Sequence, residues 1–157
     1  MTRFLVILLV LTAALGNAAT VDFTFTSSLL YTQPGSPVTF SGTLTNTGAT
    51  TAYINGDNVT SALPFDDTPF LLGAPLFLNP ADSFTGPLFT VSVPTGTPLG
   101  LYTGTFSVIG GDSPGASDIL SSAVFGVQVV PEPATWMSGL AMIGVFLARR
   151  GMLFRRG

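Results

Sequence analysis

The stretch VTFSGTLTN, residues 38–46, decides the fold. Val38, Phe40 and Leu44 alternate with Thr39, Ser41, Thr43 and Thr45, so apolar and hydroxyl side chains repeat with a period of two. A strand sends successive side chains to opposite faces, and this pattern buries one face and wets the other. Working outward, Thr47-Gly48 breaks the run and AYIN (52–55) resumes it. Upstream, Val21, Phe23 and Phe25 alternate with polar residues and are set off by Gln33-Pro34-Gly35. Downstream lie LFTVSV (88–93), LYTGTFSVI (101–109) and the alternating Phe125, Val127 and Val129. Asn55-Gly56, Asn79-Pro80, the segment 94–100, Gly110-Gly111 and Pro114-Gly115 punctuate these runs as turn signals. No apolar stripe of helical period occurs between residues 19 and 130. The expectation is an all-β fold, an antiparallel β-sandwich of seven to nine short strands in two packed sheets.

Charge is distributed more tellingly than its net value of -3. The five basic residues are Arg3, Arg149, Arg150, Arg155 and Arg156, all at the ends of the chain. Between residues 20 and 130 there are seven aspartates and no cation, so nothing in the middle can grip phosphates, and nucleic acid is excluded as a partner. Cysteine and histidine are both absent. Disulfides, thiolate or imidazole zinc ligation and His-assisted nucleophiles are therefore excluded, as is a lipid-modified cysteine anchor.

The two ends read as targeting segments. Arg3, an apolar run from Phe4 to Leu15 and then Gly16, Ala18 and Ala19 follow the order of a secretory signal peptide, with cleavage expected after Ala18. Residues 1–18 are the expected signal helix and 19–130 the exported domain. At the other end, residues 134–148 carry no charge. As a helix they would extend about 22 Å, short of a hydrocarbon core of about 30 Å. Arg149 and Arg150 follow at once; such cations hold a span's end on the cytoplasmic side, and their long stems reach back to the interface. Trp136 suits the opposite interface. Pro131 and Pro133 keep Glu132 in an extended, non-helical segment outside the expected transmembrane helix.

In this order, Pro131-Glu132-Pro133, the apolar run and Arg149-Arg150 resemble the PEP-CTERM sorting signal, here spanning residues 131–157. The resemblance implies an exported protein of a Gram-negative bacterium, tethered in the inner membrane as a precursor and processed by an exosortase near the motif. It further implies delivery to the cell surface or the exopolysaccharide matrix. Expected partners are the exosortase, signal peptidase with the general secretion machinery, the membrane through the transient helix, and extracellular polysaccharide. The stretch GMLFRRG (151–157) extends past the first arginine pair, where many tails of this family stop. A plain C-terminal membrane anchor would leave the Pro-Glu-Pro motif unexplained.

Two patches carry a second resemblance. SPVTFSGTLTNTGATTAYI (36–54) is similar to the second and third strands of Ig-like domains in bacterial surface proteins, and TPLGLYTGTFSVIG (97–110) to a late strand of the same modules. Together they imply an Ig-like or fibronectin-like topology, which by itself says nothing of function.

Few residues in the domain can carry chemistry. Asp66-Asp67 is the one adjacent carboxylate pair, but neighbours on a strand point apart, and no Glu, His or Lys assists them. Asp57, Asp66 and Asp67 are the candidate oxygen ligands for calcium, although no EF-hand or nonapeptide repeat surrounds them. The expectation is a protein that is not an enzyme, with a structural or adhesive role, and with calcium or polysaccharide binding as the alternative.

Overall fold

The computed structural model describes residues 19–132. The expected signal helix, the transmembrane helix, and with them Ala18, Pro133, Arg149 and Arg150, lie outside the described residues. The described chain runs β1 (Val21–Phe25), β2 (Leu29–Thr32), β3 (Val38–Asn46), β4 (Ala52–Ser61), β5 (Phe65–Asp66), α1 (Thr68–Gly73), β6 (Phe77–Leu78), β7 (Ser83–Val91), β8 (Gly100–Gly111) and β9 (Asp118–Val129). The strands form a four-stranded sheet of order β1-β3-β7-β5 and a five-stranded sheet of order β2-β9-β8-β4-β6. The fold is all-β, as the alternation predicted.

The alternation of β3 shows how the sequence builds this. Phe40, Gly42, Leu44 and Asn46 are buried, and the intervening residues are not. The hydroxyl half of the pattern is used as well. Thr39, Thr43 and Thr45 pair across the sheet with Thr90, Thr85 and Ser83 at 2.9, 2.8 and 2.8 Å, a ladder of side-chain hydrogen bonds on the outer face. Gly42 interrupts the apolar series because a Cβ there would come within 2.7 Å of the Phe23 ring and of the Thr24 carbonyl.

Phenylalanine fills the core between the sheets. Phe40 and Phe89 stack at 5.0 Å within the first sheet. Across the gap they meet Phe125 of the second sheet at 4.9 and 4.7 Å, and Phe89 stacks on Phe106 at 5.2 Å. Each of these rings is essentially inaccessible to solvent. Offset and tilted contacts of this kind add modestly to the area the rings bury.

Four local expectations are corrected. The pairing is not antiparallel throughout: β2 runs parallel to β9, because the chain crosses from the first sheet to the second between Phe25 and Leu29. Asn55-Gly56 does not turn the chain; β4 continues through it, with a bulge between Ile54 and Gly56. Gly110-Gly111 likewise belongs to β8. One short helix, α1, interrupts the strands, started by Pro69 in its first turn and by the Asp67 carbonyl, which accepts from Phe70 N and Leu71 N. Six residues are too few to write a helical stripe, and α1 is held by burial of Phe70 against Phe106 at 5.4 Å.

The two ends of the domain lie far apart. Ala19 N donates to Asp112 Oδ1 at 2.5 Å, just past the end of β8. Val129 pairs with Gly100 at the start of β8, and Val130 N donates to the Thr32 carbonyl. The length of β8, about 35 Å at about 3.3 Å per residue, separates the point where the chain enters the domain from the point where it leaves.

Candidate functional site

The three candidate aspartates come from one neighbourhood but do not converge as a set. Asp57 lies in β4 opposite Val108, two residues before Val59, which packs on the core. It therefore shares the inward face of β4, displaced there by the bulge at Gly56. Both of its carboxylate oxygens are out of solvent contact and have no hydrogen-bond partner. Burial, and then the Asp67 carboxylate, raise the Asp57 pKa to about 6. Asp67 sits at the start of α1, with its carbonyl in the helix and no side-chain cap bond. Asp66 lies on the exposed edge strand β5 and turns to Thr68, whose hydroxyl and backbone N–H hold its carboxyl below the usual range. Asp66 and Asp67 are thus directed to different neighbours, as adjacent strand-end residues should be.

This arrangement sets what the site can do. Calcium takes roughly six to eight oxygens. Among the described residues no group of three or more Asp, Glu, His or Cys side chains is placed to hold a metal, and only Asp57 and Asp67 interact. A carboxyl with a raised pKa beside a second carboxylate is the pairing general acid catalysis uses. The Asp57 oxygens, however, are sealed beneath the sheet edge, where a substrate does not reach them in this conformation. The neighbouring pocket, about 100 Å³, is lined by residues including Ile54, Phe70, Leu71 and Leu76 and by none of the three aspartates.

The processing candidates are placed as follows. Ala19 is partly buried and bonded to Asp112; Pro131 is partly buried and Glu132 exposed, immediately beyond the last strand. Among the described residues no helix is long and apolar enough to cross a membrane. The sequence reading missed Asp112, which lies 93 residues from Ala19 and carries no local signal. It also missed Asn46, a fully buried polar side chain that ties three segments together.

No protein-family model and no curated protein matches the chain. Among solved structures it is similar to a family 123 glycoside hydrolase from Clostridium perfringens, whose structural analysis concerned glycolipid glycan hydrolysis. The identity is 9% and the TM-score 0.40, over 72% of this chain and 27% of that one. The matched chain is an enzyme's, so the expectation of no enzymatic role is corrected and is not carried further. At that identity and TM-score the likeness assigns no hydrolase activity to this chain.

Proposed function

We propose that this chain is an exported surface protein sorted by an exosortase. In this reading residues 1–18 direct export and are removed after Ala18, residues 19–130 form the displayed domain, and residues 131–157 are the sorting tail. The observation that carries it is the order of the tail: Pro131-Glu132-Pro133, an uncharged run over 134–148, then Arg149-Arg150. The end of β9 at Val129 and the exposure of Glu132 support it, because they leave the motif open to a membrane enzyme directly after the last paired residue. The domain is displayed at the cell surface or within the exopolysaccharide matrix, where its role is structural or adhesive. Its topology is Ig-like in this reading, supported by the crossing of the first edge from one sheet to the other and by the split into β1-β3-β7-β5 and β2-β9-β8-β4.

Mass spectrometry of the cell-surface form tests the reading. The expected mass begins at Ala19 and lacks the arginine terminus, and Glu132→Ala leaves the precursor in the inner membrane. A surface form that retains Arg155 and Arg156 would make the protein an ordinary membrane-anchored one.

A further inference from the structure

The two ends of the domain differ in charge. At the end where Ala19 enters, four carboxylates gather: Asp112 and Asp118 follow β8 and open β9, Asp22 pairs with Thr45 of β3, and Asp82 lies beside Asn46. At the end where Val130 leaves, the segments 33–37 and 94–99 meet through Gly35 N and the Val93 carbonyl. Neither segment contains a charged residue, nor does the chain from 119 to 131. Asp66 and Asp67 lie towards this same end, since Asp66 pairs with Thr90 near the end of β7, but on the far edge of the other sheet, with the width of the sandwich between them and β2.

On the side formed by β2, β9 and β8, where this end carries no charge, the outer face is also apolar. Leu101 of β8 and Tyr31 of β2 flank Gln128 of β9, at 58% and 65% exposure, and Leu99 precedes them at 55%. Gly126 leaves room for Leu29 and Leu101 to close over β9; a Cβ there would lie 3.1 Å from a methyl of each. Large apolar side chains gathered on an exposed face mark a surface that meets another apolar phase. The chain itself indicates which phase. Immediately after Val130 it enters the sorting motif, and the uncharged run over 134–148 follows.

We infer that the Tyr31–Leu99–Leu101 end of the domain rests on the lipid surface that receives the tail, with the aspartate-rich end directed away from the bilayer. The inference rests on the tail inserting as proposed above. It orients the precursor end-on: the Pro-Glu-Pro segment is pinned between the domain and the membrane, and four carboxylates are kept about 35 Å from anionic headgroups.

The test uses the exported chain with its tail intact, reconstituted into phosphatidylcholine vesicles with brominated acyl chains. In the parent chain Trp136 is the one tryptophan and reports insertion of the tail. In a Trp136→Phe background, Leu99→Trp is compared with Ile119→Trp, which is somewhat more exposed but near the aspartate-rich end. Leu101→Trp serves as a second probe on the same face. The expected result is bromolipid quenching at positions 99 and 101 several-fold stronger than at 119, with aqueous iodide quenching in the reverse order. If Trp136 is quenched by lipid while the probes at 99 and 101 respond as position 119 does, the orientation fails and the tail reading stands. If Trp136 is not quenched, the tail reading fails and the orientation with it. Probes shielded from iodide yet untouched by lipid would mean that a second copy of the chain covers this face, which also overturns the proposal.

Discussion

Two buried polar side chains show what single residues contribute. Asn46 ends the strand that decides the fold. Its Nδ2 donates to the carbonyls of Thr50 and Leu78, both at 2.8 Å, and its Oδ1 accepts from Gly48 N at 2.9 Å. Its backbone also bonds Asp82 and Ala81, so the turn after β3, strand β6 and the approach to β7 all meet at one residue. Asn46→Ala would leave buried carbonyls and an N–H without partners, at about 1–3 kcal/mol each before relaxation. The expected loss is about 3 kcal/mol, a fall in melting temperature of about 10 °C or more. A variant melting within about 2 °C of the parent would show that water replaces the amide, contrary to its burial. Asp57 works in the opposite sense. Its folded pKa of about 6 lies above the unfolded value of about 3.9. Folding therefore favours the protonated form, and this group's contribution to stability is most favourable below about pH 4. It falls as pH rises from about 4 to 6 and stays low above that. Although its oxygens are out of solvent contact, the residue as a whole is only half-buried, and with that allowance the penalty at neutral pH is about 1 kcal/mol. Asp57→Asn should raise the melting temperature at pH 7 by several degrees and flatten the profile between pH 4 and 6. An unchanged slope across that window would count against a buried carboxylate. The sequence marked Asp57 as a candidate oxygen ligand, but nothing local signals that the bulge turns it inward. The role of Asn46 was equally hidden, because it depends on Leu78, 32 residues away.

At the scale of elements, alternation was legible wherever a strand has one dry and one hydroxyl-bearing face, as in β1, β3, β8 and β9. It failed where a glycine had two competing meanings. Gly56 and Gly110 both look like turn residues, yet they sit in the same β4–β8 ladder. At Gly110 an added Cβ would fall 1.9 Å from the Tyr53 carbonyl and 2.8 Å from a Leu120 methyl. The residue is glycine because the neighbouring strand comes so close, not because the chain reverses there. Gly110→Ala should therefore force β4 away from β8, at about 1–3 kcal/mol, the range of overpacked cores. Gly115→Ala, in a loop with open space around its Cβ position, is the control and should change stability by less than about 0.5 kcal/mol. Urea denaturation of the two variants makes the comparison. Equal midpoints would return Gly110 to the turn reading. The short helix had no such ambiguity to resolve. Its six residues hold one buried side chain, Phe70, and that placement becomes visible only once Phe106 is opposite it.

For the whole molecule, the governing fact is a domain with seven aspartates and no basic side chain between residues 20 and 130. The sequence made that imbalance plain but not its arrangement, since the gathering of Asp22, Asp82, Asp112 and Asp118 at one end follows from strand directions. The imbalance gives the proposed processing a physical consequence. Cleavage after Ala18 turns the Ala19 backbone N–H into an ammonium, placed 2.5 Å from Asp112 Oδ1. With the tail also removed, that ammonium is the sole cation of the mature chain. A partner carboxylate raises an amine's pKa above its unfolded value of about 7.7–8.0. The stabilisation is then complete below that value and is lost as pH rises through the folded one. Asp112 is exposed, so the pair is worth about 0.2–1 kcal/mol and weakens with salt. A chain beginning at a free Ala19 should melt a few degrees above its N-acetylated counterpart at pH 7, and the gap should close by about pH 10. Asp112→Asn should remove the gap at every pH. If acetylation leaves the melting temperature unchanged at low salt and pH 7, the new terminus points into solvent, and export cleavage adds nothing to the stability of the domain it releases.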